Sequence, residues 1–370
     1  MPPQRILDTH IHLWPSTAVE PSNHGWMAPG HHLAKQHGLS DYNLVTSSSS
    51  QDKSPRVPCI YIETDRYLPS VAPDIAEQDS DAVKRSKLED WAKEPLQELR
   101  FLRRIVERRP QDGDGFTPDE AGALKGAVIW APFHLPSPLF TLYLRIAEDV
   151  SGPALWERVV GFRYLLQGKG EGVVRELVAS EEWLGNLVAL GKGRGGRGWA
   201  FDVGVDVHRD GVEVLECVVG MVREVRRREE SAGGQGRVEF VLNHLCKPSI
   251  SHPPPPPWTA ALNTLSTLPS VSLKLSGAFN EFSSPTPSSL PSILAALDPY
   301  FATAFAAFKG KLMFGSDWPV CNVGGPRGEA GNWAFWVEIV EGWMRERGVE
   351  EGEQESVWWR AGGRAYGVDF

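Results

Sequence analysis

Eight short apolar runs, each separated from the next by enough chain for a helix, constrain this sequence more than any other feature. They lie at Ile6 to His10, Cys59 to Glu63, Ala127 to Ala131, Val159 to Arg163, Ala200 to Val205, Glu239 to Asn243, Val271 to Leu275 and Leu312 to Ser316. Short runs rich in Val, Ile, Leu and Phe read as buried strands. The clearest helix spans Gly211 to Glu230, where Val212, Leu215, Val219, Val222 and Val225 recur at helical spacing and Arg223 can face water. Further helices are expected over Leu88 to Arg108, Glu171 to Leu190, Trp258 to Leu268, Leu290 to Phe305, Trp333 to Arg347 and Glu353 to Tyr366. Strands alternating with helices in this way predict an α/β fold: a closed (β/α)8 TIM barrel with loop insertions rather than an open doubly wound sheet.

Such a barrel takes about 250 residues, so a chain of 370 leaves room for insertions. One barrel domain is expected over 1–370, with insertions at 46–58, 109–122, 191–198 and 249–257. The first two offer few apolar anchors and are expected to be partly disordered. The last carries five consecutive prolines, which suit neither a helix interior nor a central strand and predict an extended surface connector. A formal charge of -9 disfavours the nucleic-acid backbone as a partner, and the basic run Arg226 to Arg228 is followed by Glu229 and Glu230, as on a solvated helix face. Neither a dinucleotide-binding glycine motif, a P-loop nor a GxSxG elbow is present, and the GKGRGGRG stretch at 191–198 reads as a flexible insertion. Cys59, Cys217, Cys246 and Cys321 are widely spaced, which fits a reducing compartment. The start MPPQRILDTHIHLW lacks the apolar run of a signal peptide, and no run of 18 apolar residues suggests a membrane span. The expectation is a cytoplasmic protein with a small-molecule partner, without nucleic-acid or membrane partners, and compatible with a homo-oligomer.

Chemistry concentrates at strand ends. In Asp8-Thr9-His10-Ile11-His12, two-residue alternation places His10 and His12 on one side with Asp8 below, at the strand end where barrel active sites form. Neutral imidazoles suit zinc, and Asp8 could hold one ring in a single tautomer; alternatively, the pair caps a packed end. His244 follows the sixth strand and could ligate a metal or donate to a carbonyl oxygen, while Lys247 is either an anion-holding group or a solvated loop charge. Asp317 follows the eighth strand; buried, it would need a metal, histidine or arginine beside it, and otherwise it caps a turn with Ser316 and Pro319. Arg163 could bind a carboxylate or hydroxyl of a substrate, or pair with a loop. Glu63 is a wall residue or a partner of Arg66, and Lys274, Ser276 and Glu281 are pocket candidates on the seventh strand.

The segments DTHIHLW (Asp8 to Trp14), VVGFRYLLQ (Val159 to Gln167), FVLNHLCKP (Phe240 to Pro248), VSLKLSGAFNE (Val271 to Glu281), LMFGSDWPVC (Leu312 to Cys321) and GGRAYGV (Gly362 to Val368) extend over nearly the whole chain. Together they resemble the amidohydrolase superfamily, specifically its amidohydrolase-related branch of sugar-lactone and pyrone-dicarboxylate lactonases. The resemblance implies a (β/α)8 barrel with His10, His12, His244 and Asp317 as ligands of one divalent metal, zinc first, although metal-independent activity is also compatible with the branch. It implies catalytic roles for Asp317 and His244, and substrate contacts from Arg163, Lys247, Glu63 and Trp318. Arg163 ends strand four where binuclear relatives carry a carboxylated lysine, and strand five offers no histidine before His208, so two bridged metals are not expected. Asn243 stands where the family usually has aspartate, which is expected to loosen the orientation of a histidine. The implied activity is hydrolysis of a sugar-derived or related lactone. The alternatives are metal-dependent decarboxylation of an unsaturated or aromatic carboxylate, and noncatalytic small-molecule binding.

Overall fold

The computed structural model describes residues 5–47, 56–234, 236–250, 253–282 and 285–369. Eight strands pair in sequence order, each parallel to the next: β1 (Asp8–Ile11), β2 (Cys59–Ile62), β3 (Leu124–Trp130), β4 (Val159–Arg163), β5 (Ala200–Val203), β6 (Glu239–Leu242), β7 (Val271–Leu275) and β8 (Leu312–Phe314). The sheet comes round on itself just beyond the last strand. Ile11 bridges Trp318 in parallel, the His12 N–H donates to the Trp318 carbonyl at 2.7 Å, and the Asp317 N–H donates to the His10 carbonyl at 2.9 Å. The expected (β/α)8 barrel is therefore present.

The seam is fastened by Asp8, which is fully buried. One carboxylate oxygen accepts the Ser316 N–H at 2.8 Å, and the other accepts the Tyr42 hydroxyl and the Trp333 indole N–H, each at 3.0 Å. Burial pushes its carboxyl above the ordinary range, against the pull of these donors. Asp8 thus joins the first strand, the chain after the last strand and two outer helices, Leu39–Thr46 and Asn332–Glu346. The expectation that it holds a histidine ring is corrected, because its oxygens are taken by the seam.

Inside the barrel, Leu7, Ile60, Ile62, Val128, Val160, Ala200, Val241 and Met313 meet Ala361 and Tyr366 of the C-terminal helix Ala361–Tyr366. The layer between strands and helices is aromatic, with Trp183, Trp258 and Trp336 completely buried. Burial of each large apolar side chain contributes about 1.5–3 kcal/mol, so much of the tryptophan content serves packing. A register shift in β4 between Val159 and Gly161 lets Phe162 meet Trp199 edge to face in the outer layer while Arg163 reaches the barrel mouth.

Several elements differ from the sequence expectation. Helix Ser137–Trp156 was not expected because Pro138, Gly152 and Pro153 interrupt its pattern. Pro138 falls in the first turn, where its missing N–H leaves no bond unmade, and Gly152 takes a left-handed φ of 65° at a kink. The expected helix over Leu88 to Arg108 is two, Asp81–Trp91 and Lys93–Val106, and that over Glu171 to Leu190 divides at Ser180, whose hydroxyl caps Glu181–Leu190. The last two residues of the proline run open helix Pro256–Thr267 rather than extending as a connector. Segment 109–122 is ordered around buried Asp114, which takes two hydrogen bonds from Arg104 at 2.7 and 2.6 Å. Residues 48–55, most of the first expected insertion, lie outside the described residues. Helix Leu290–Ala307 matches a membrane span in length and mean hydropathy (1.3), yet its Ile293, Leu297 and Phe301 are buried in the outer layer.

Replacing Asp8 by alanine would strand three buried donors. We expect Asp8→Ala to lower unfolding stability by about 3 kcal/mol or more, read from the denaturant midpoint at unchanged slope. An unaltered midpoint would mean the seam holds without this carboxylate.

Candidate active site

β1 and the loops after β6 and β8 bring three imidazoles and one carboxylate together at the barrel mouth. The His10 Nε2 lies 3.2 Å from the His12 Nε2. The Asp317 Oδ1 is 3.5 Å from the His10 Nε2, 3.4 Å from the His12 Nε2 and 3.8 Å from the His244 Nε2. All four residues are buried. The ligand atoms of His10, His244 and Asp317 lie within 4.8 Å of one another, as one divalent cation requires. A tetrahedral zinc ion with bonds of about 2.0–2.1 Å holds its donors roughly 3.3–3.4 Å apart, so this donor set fits.

The rings are aimed by their second nitrogens. The His12 Nδ1 faces the Ile62 carbonyl at 2.9 Å; it must carry the proton there, which leaves the Nε2 lone pair facing the cluster. The His244 Nδ1 meets the Ser276 hydroxyl at 2.8 Å. This ring is thus oriented from β7 and not by residue 243, whose amide finds no hydrogen-bond partner among the described residues. The expected loosening of a histidine by Asn243 is corrected accordingly. The His10 Nδ1 lies 3.2 Å from the Lys274 ammonium, which donates at 2.6 Å to Asp202; Asp202 also accepts the Tyr366 hydroxyl at 2.7 Å. Burial brings Lys274 down to about 8 against the pull of Asp202.

Backbone strain places two of the ligands. His244, Leu245, Cys246 and Lys247 have φ of 54°, 54°, 61° and 52°, and Asp317 has 61°. A left-handed conformation costs a non-glycine residue roughly 1–2 kcal/mol, so four in succession persist only where the surroundings dictate them. They do so here: the Trp258 indole donates to the Leu245 carbonyl at 2.9 Å, and the His208 N–H donates to the Lys247 carbonyl at 2.8 Å. Gly277 touches the cluster from the other side. A Cβ there would lie 2.6 Å from the His244 Nδ1 and 2.8 Å from the Asp317 Oδ2. Sequence reading missed Gly277 because its contribution is the side chain it lacks.

Burial also sets the charges. It drives His244 down to about 3, against the opposing pull of Asp317, and drives His10 well below the ordinary histidine range, helped by Lys274. Burial works against the Asp317 carboxylate, but the histidines and Lys247 outweigh it and hold it at about 2. Neutral imidazoles around an ionised carboxylate are the protonation states that bind a divalent metal.

A cavity of about 260 Å³ opens onto the cluster, lined by His12, His244 and Asp317 together with Arg163, Lys247 and a cap that includes Trp26 and His31. Lys247 is buried, 3.4 Å from Glu281, and faces the cavity; the solvated-charge alternative is corrected. Glu63 does not reach the cavity. It is fully buried and accepts from the Arg163 Nε at 2.5 Å, while the Arg66 Nε lies 3.6 Å from Glu98. Its expected substrate contact and its pairing with Arg66 are both corrected. Trp318 is likewise no cavity wall, because its ring packs behind the site against His37 and Tyr42. Ser276, Lys274 and Glu281 support the His244, His10 and Lys247 side chains respectively.

Comparison with known proteins agrees with this geometry. A family model described as amidohydrolase matches residues 236–366. An L-fucono-1,5-lactonase of Burkholderia ambifaria is 34% identical over 103 residues, which are 28% of this chain and 33% of that protein. The chain thus matches about a third of that relative's length. A second L-fucono-1,5-lactonase, from Burkholderia multivorans, is 29% identical over 238 residues, 60% of this chain and 70% of the relative. The fold is shared with a zinc-bound amidohydrolase structure from Burkholderia multivorans at a TM-score of 0.63 and 22% identity, covering 99% of this chain and 100% of that one. The chain is thus similar to amidohydrolases over residues 236–366 and to a sugar lactonase over 60% of its length, and it shares its barrel fold with a solved amidohydrolase.

Proposed function

We propose that this protein hydrolyses the ring ester of a sugar-derived lactone, with zinc as its metal. The observation that carries the reading is the convergence of His10, His12, His244 and Asp317 at one cavity whose wall also presents Arg163 and Lys247. The lactonase relatives point to the same substrate class, an aldonolactone.

His10, His244 and Asp317 would hold the metal, with His12 beside them; when bound, it polarises the ester carbonyl and acidifies water. Asp317, held ionised at the cavity wall, accepts a proton from the attacking water. The new bond joins water oxygen to carbonyl carbon, the ring C–O bond breaks, and the proton returns to the departing ring oxygen. The product is the open hydroxy acid. Lys247 and Arg163 are placed to donate to the carbonyl oxygen or substrate hydroxyls as negative charge develops. Glu63 acts through Arg163, fixing its fork from behind.

A panel of aldonolactones and aromatic or unsaturated carboxylic acids, with parallel ring-opening and carbon dioxide readouts, tests this. Metal-free protein is expected to lose turnover at least tenfold and to regain it with about one equivalent of zinc, while Asp317→Asn lowers kcat by about a thousandfold. Carbon dioxide release without ring opening would instead favour a decarboxylase.

Gly277 tests the geometry of the ligands. Gly277→Ala is expected to cost about tenfold or more in zinc affinity, read by competition with a chelating dye, while leaving the far-UV dichroism unchanged. Unchanged affinity would show that the ligands do not depend on this close approach.

The histidines predict an acid sensitivity. Between about pH 6.5 and 3 the unfolded chain protonates His244 while the native state resists, and His10 acts in the same direction, so the unfolded state binds more protons and stability falls as pH falls. His244 alone should therefore make metal-free protein less stable at pH 5 than at pH 7 by about 2 kcal/mol. Equal denaturation midpoints at the two pH values would contradict the buried neutral imidazoles.

A further inference from the structure

A second cavity, of about 510 Å³, adjoins the catalytic one, and Asp65 and Leu165 line both. Its lining differs in kind. Trp91, Trp130 and Tyr164 form an aromatic side, with Trp91 and Trp130 centred 5.7 Å apart and the Trp130 and Tyr164 rings inclined by only 31°. Arg66, His134, Lys169 and Asp65 supply polar groups around it. The His134 Nδ1 is buried without a hydrogen-bond partner among the described residues. Burial holds this ring below the ordinary histidine range, so it is neutral and offers one donor and one acceptor. The Lys169 ammonium stands over one face of the Tyr164 ring, 5.2 Å from its centre, and also lines the cavity.

We propose that this cavity is a subsite for a second sugar unit, so that the preferred substrate is the aldonolactone of a disaccharide. The inference rests on the lactone-hydrolysis reading of the adjoining site. A pyranose has a C–H face that stacks on aromatic rings and hydroxyls around its edge that need donors and acceptors; this cavity offers both together. An alkyl chain would leave the unpartnered His134 Nδ1 and the Asp65 carboxylate against apolar surface, and a flat aromatic group would leave the same polar atoms unmet. The two cavities are also mechanically joined. Glu63 accepts from Arg163, which lines the catalytic cavity, and its other oxygen accepts the N–H of Asp65 at 2.7 Å, fixing the shared residue in a left-handed conformation. A ligand spanning both spaces would thus meet walls set by one buried carboxylate.

The test compares a monosaccharide aldonolactone with a cellobiose-derived aldonolactone on the zinc-loaded full chain, in wild type, Tyr164→Ala and His134→Ala. The wild type is expected to prefer the disaccharide lactone by about tenfold or more in kcat/KM; each variant should lose most of that preference while monosaccharide turnover stays within about twofold. Equal kcat/KM for the two lactones in the wild type, or a preference that survives both substitutions, would overturn the subsite and leave lactone hydrolysis standing. If neither lactone is opened, the hydrolytic reading fails, and the subsite is judged by tryptophan fluorescence titration with cellobionate. Binding weakened about tenfold by Tyr164→Ala would support it, and no saturable binding, or binding indifferent to both variants, would overturn it.

Discussion

The hydrogen bonds that join β1 to the chain after β8 decide where the chemistry can happen. His10 and Asp317 come from opposite ends of the sequence, and they meet because the Asp317 N–H bonds the His10 carbonyl and the His12 N–H bonds the Trp318 carbonyl. Side chains alternate along a strand, so a slip of one residue at this seam would turn His10 and His12 toward the helix layer. Asp8 opposes that slip. It sits two residues before His10, receives the Ser316 N–H, and is held from outside by Tyr42 and Trp333. Closure of the barrel and alignment of the ligands are therefore one event, and a carboxylate remote from the cavity contributes to both.

The strands were legible because a parallel strand covered on both faces leaves a continuous apolar run. The candidate ligands were legible because each run stops abruptly at His10, His244 or Asp317. What could not be read was partnership. Glu63 and Glu98 each face an arginine, but only the folded barrel settles that Arg163 takes the first and Arg66 the second. The resemblance implied a substrate contact from Trp318, whereas the turn of the chain carries its ring behind the site to His37. Helix Ser137–Trp156 was hidden by residues that break periodicity yet fit a first turn and a kink. Gly277 left no signal beyond its place after a strand, since its effect is the room it leaves for His244 and Asp317.

The strained turn from His244 to Lys247 adds a different kind of information. An ordinary right-handed turn would carry these side chains along another path, and four left-handed non-glycine residues are not what local preference selects. Tertiary bonds from Trp258 and His208 hold the turn open, so its cost is met by the outer helix and the segment after β5. Stability is surrendered locally to present one imidazole and one ammonium to the same cavity.

Charge in the barrel interior bears on how many metal ions the site can hold. The Lys274 ammonium touches His10 from below, paired with an Asp202 whose second oxygen is taken by the Tyr366 hydroxyl of the last helix. Arg163 occupies the end of β4, with its guanidinium locked on Glu63. A second cation placed beside the first would lie against these two fixed positive charges, and the carboxylates that might offset them are already bonded to them. Among the described residues, Asp317 is the one carboxylate that offers an oxygen to the cluster. Electrostatics and donor supply thus agree on a mononuclear site, and Lys274, one of the two charges that oppose a second ion, also contacts the His10 ring.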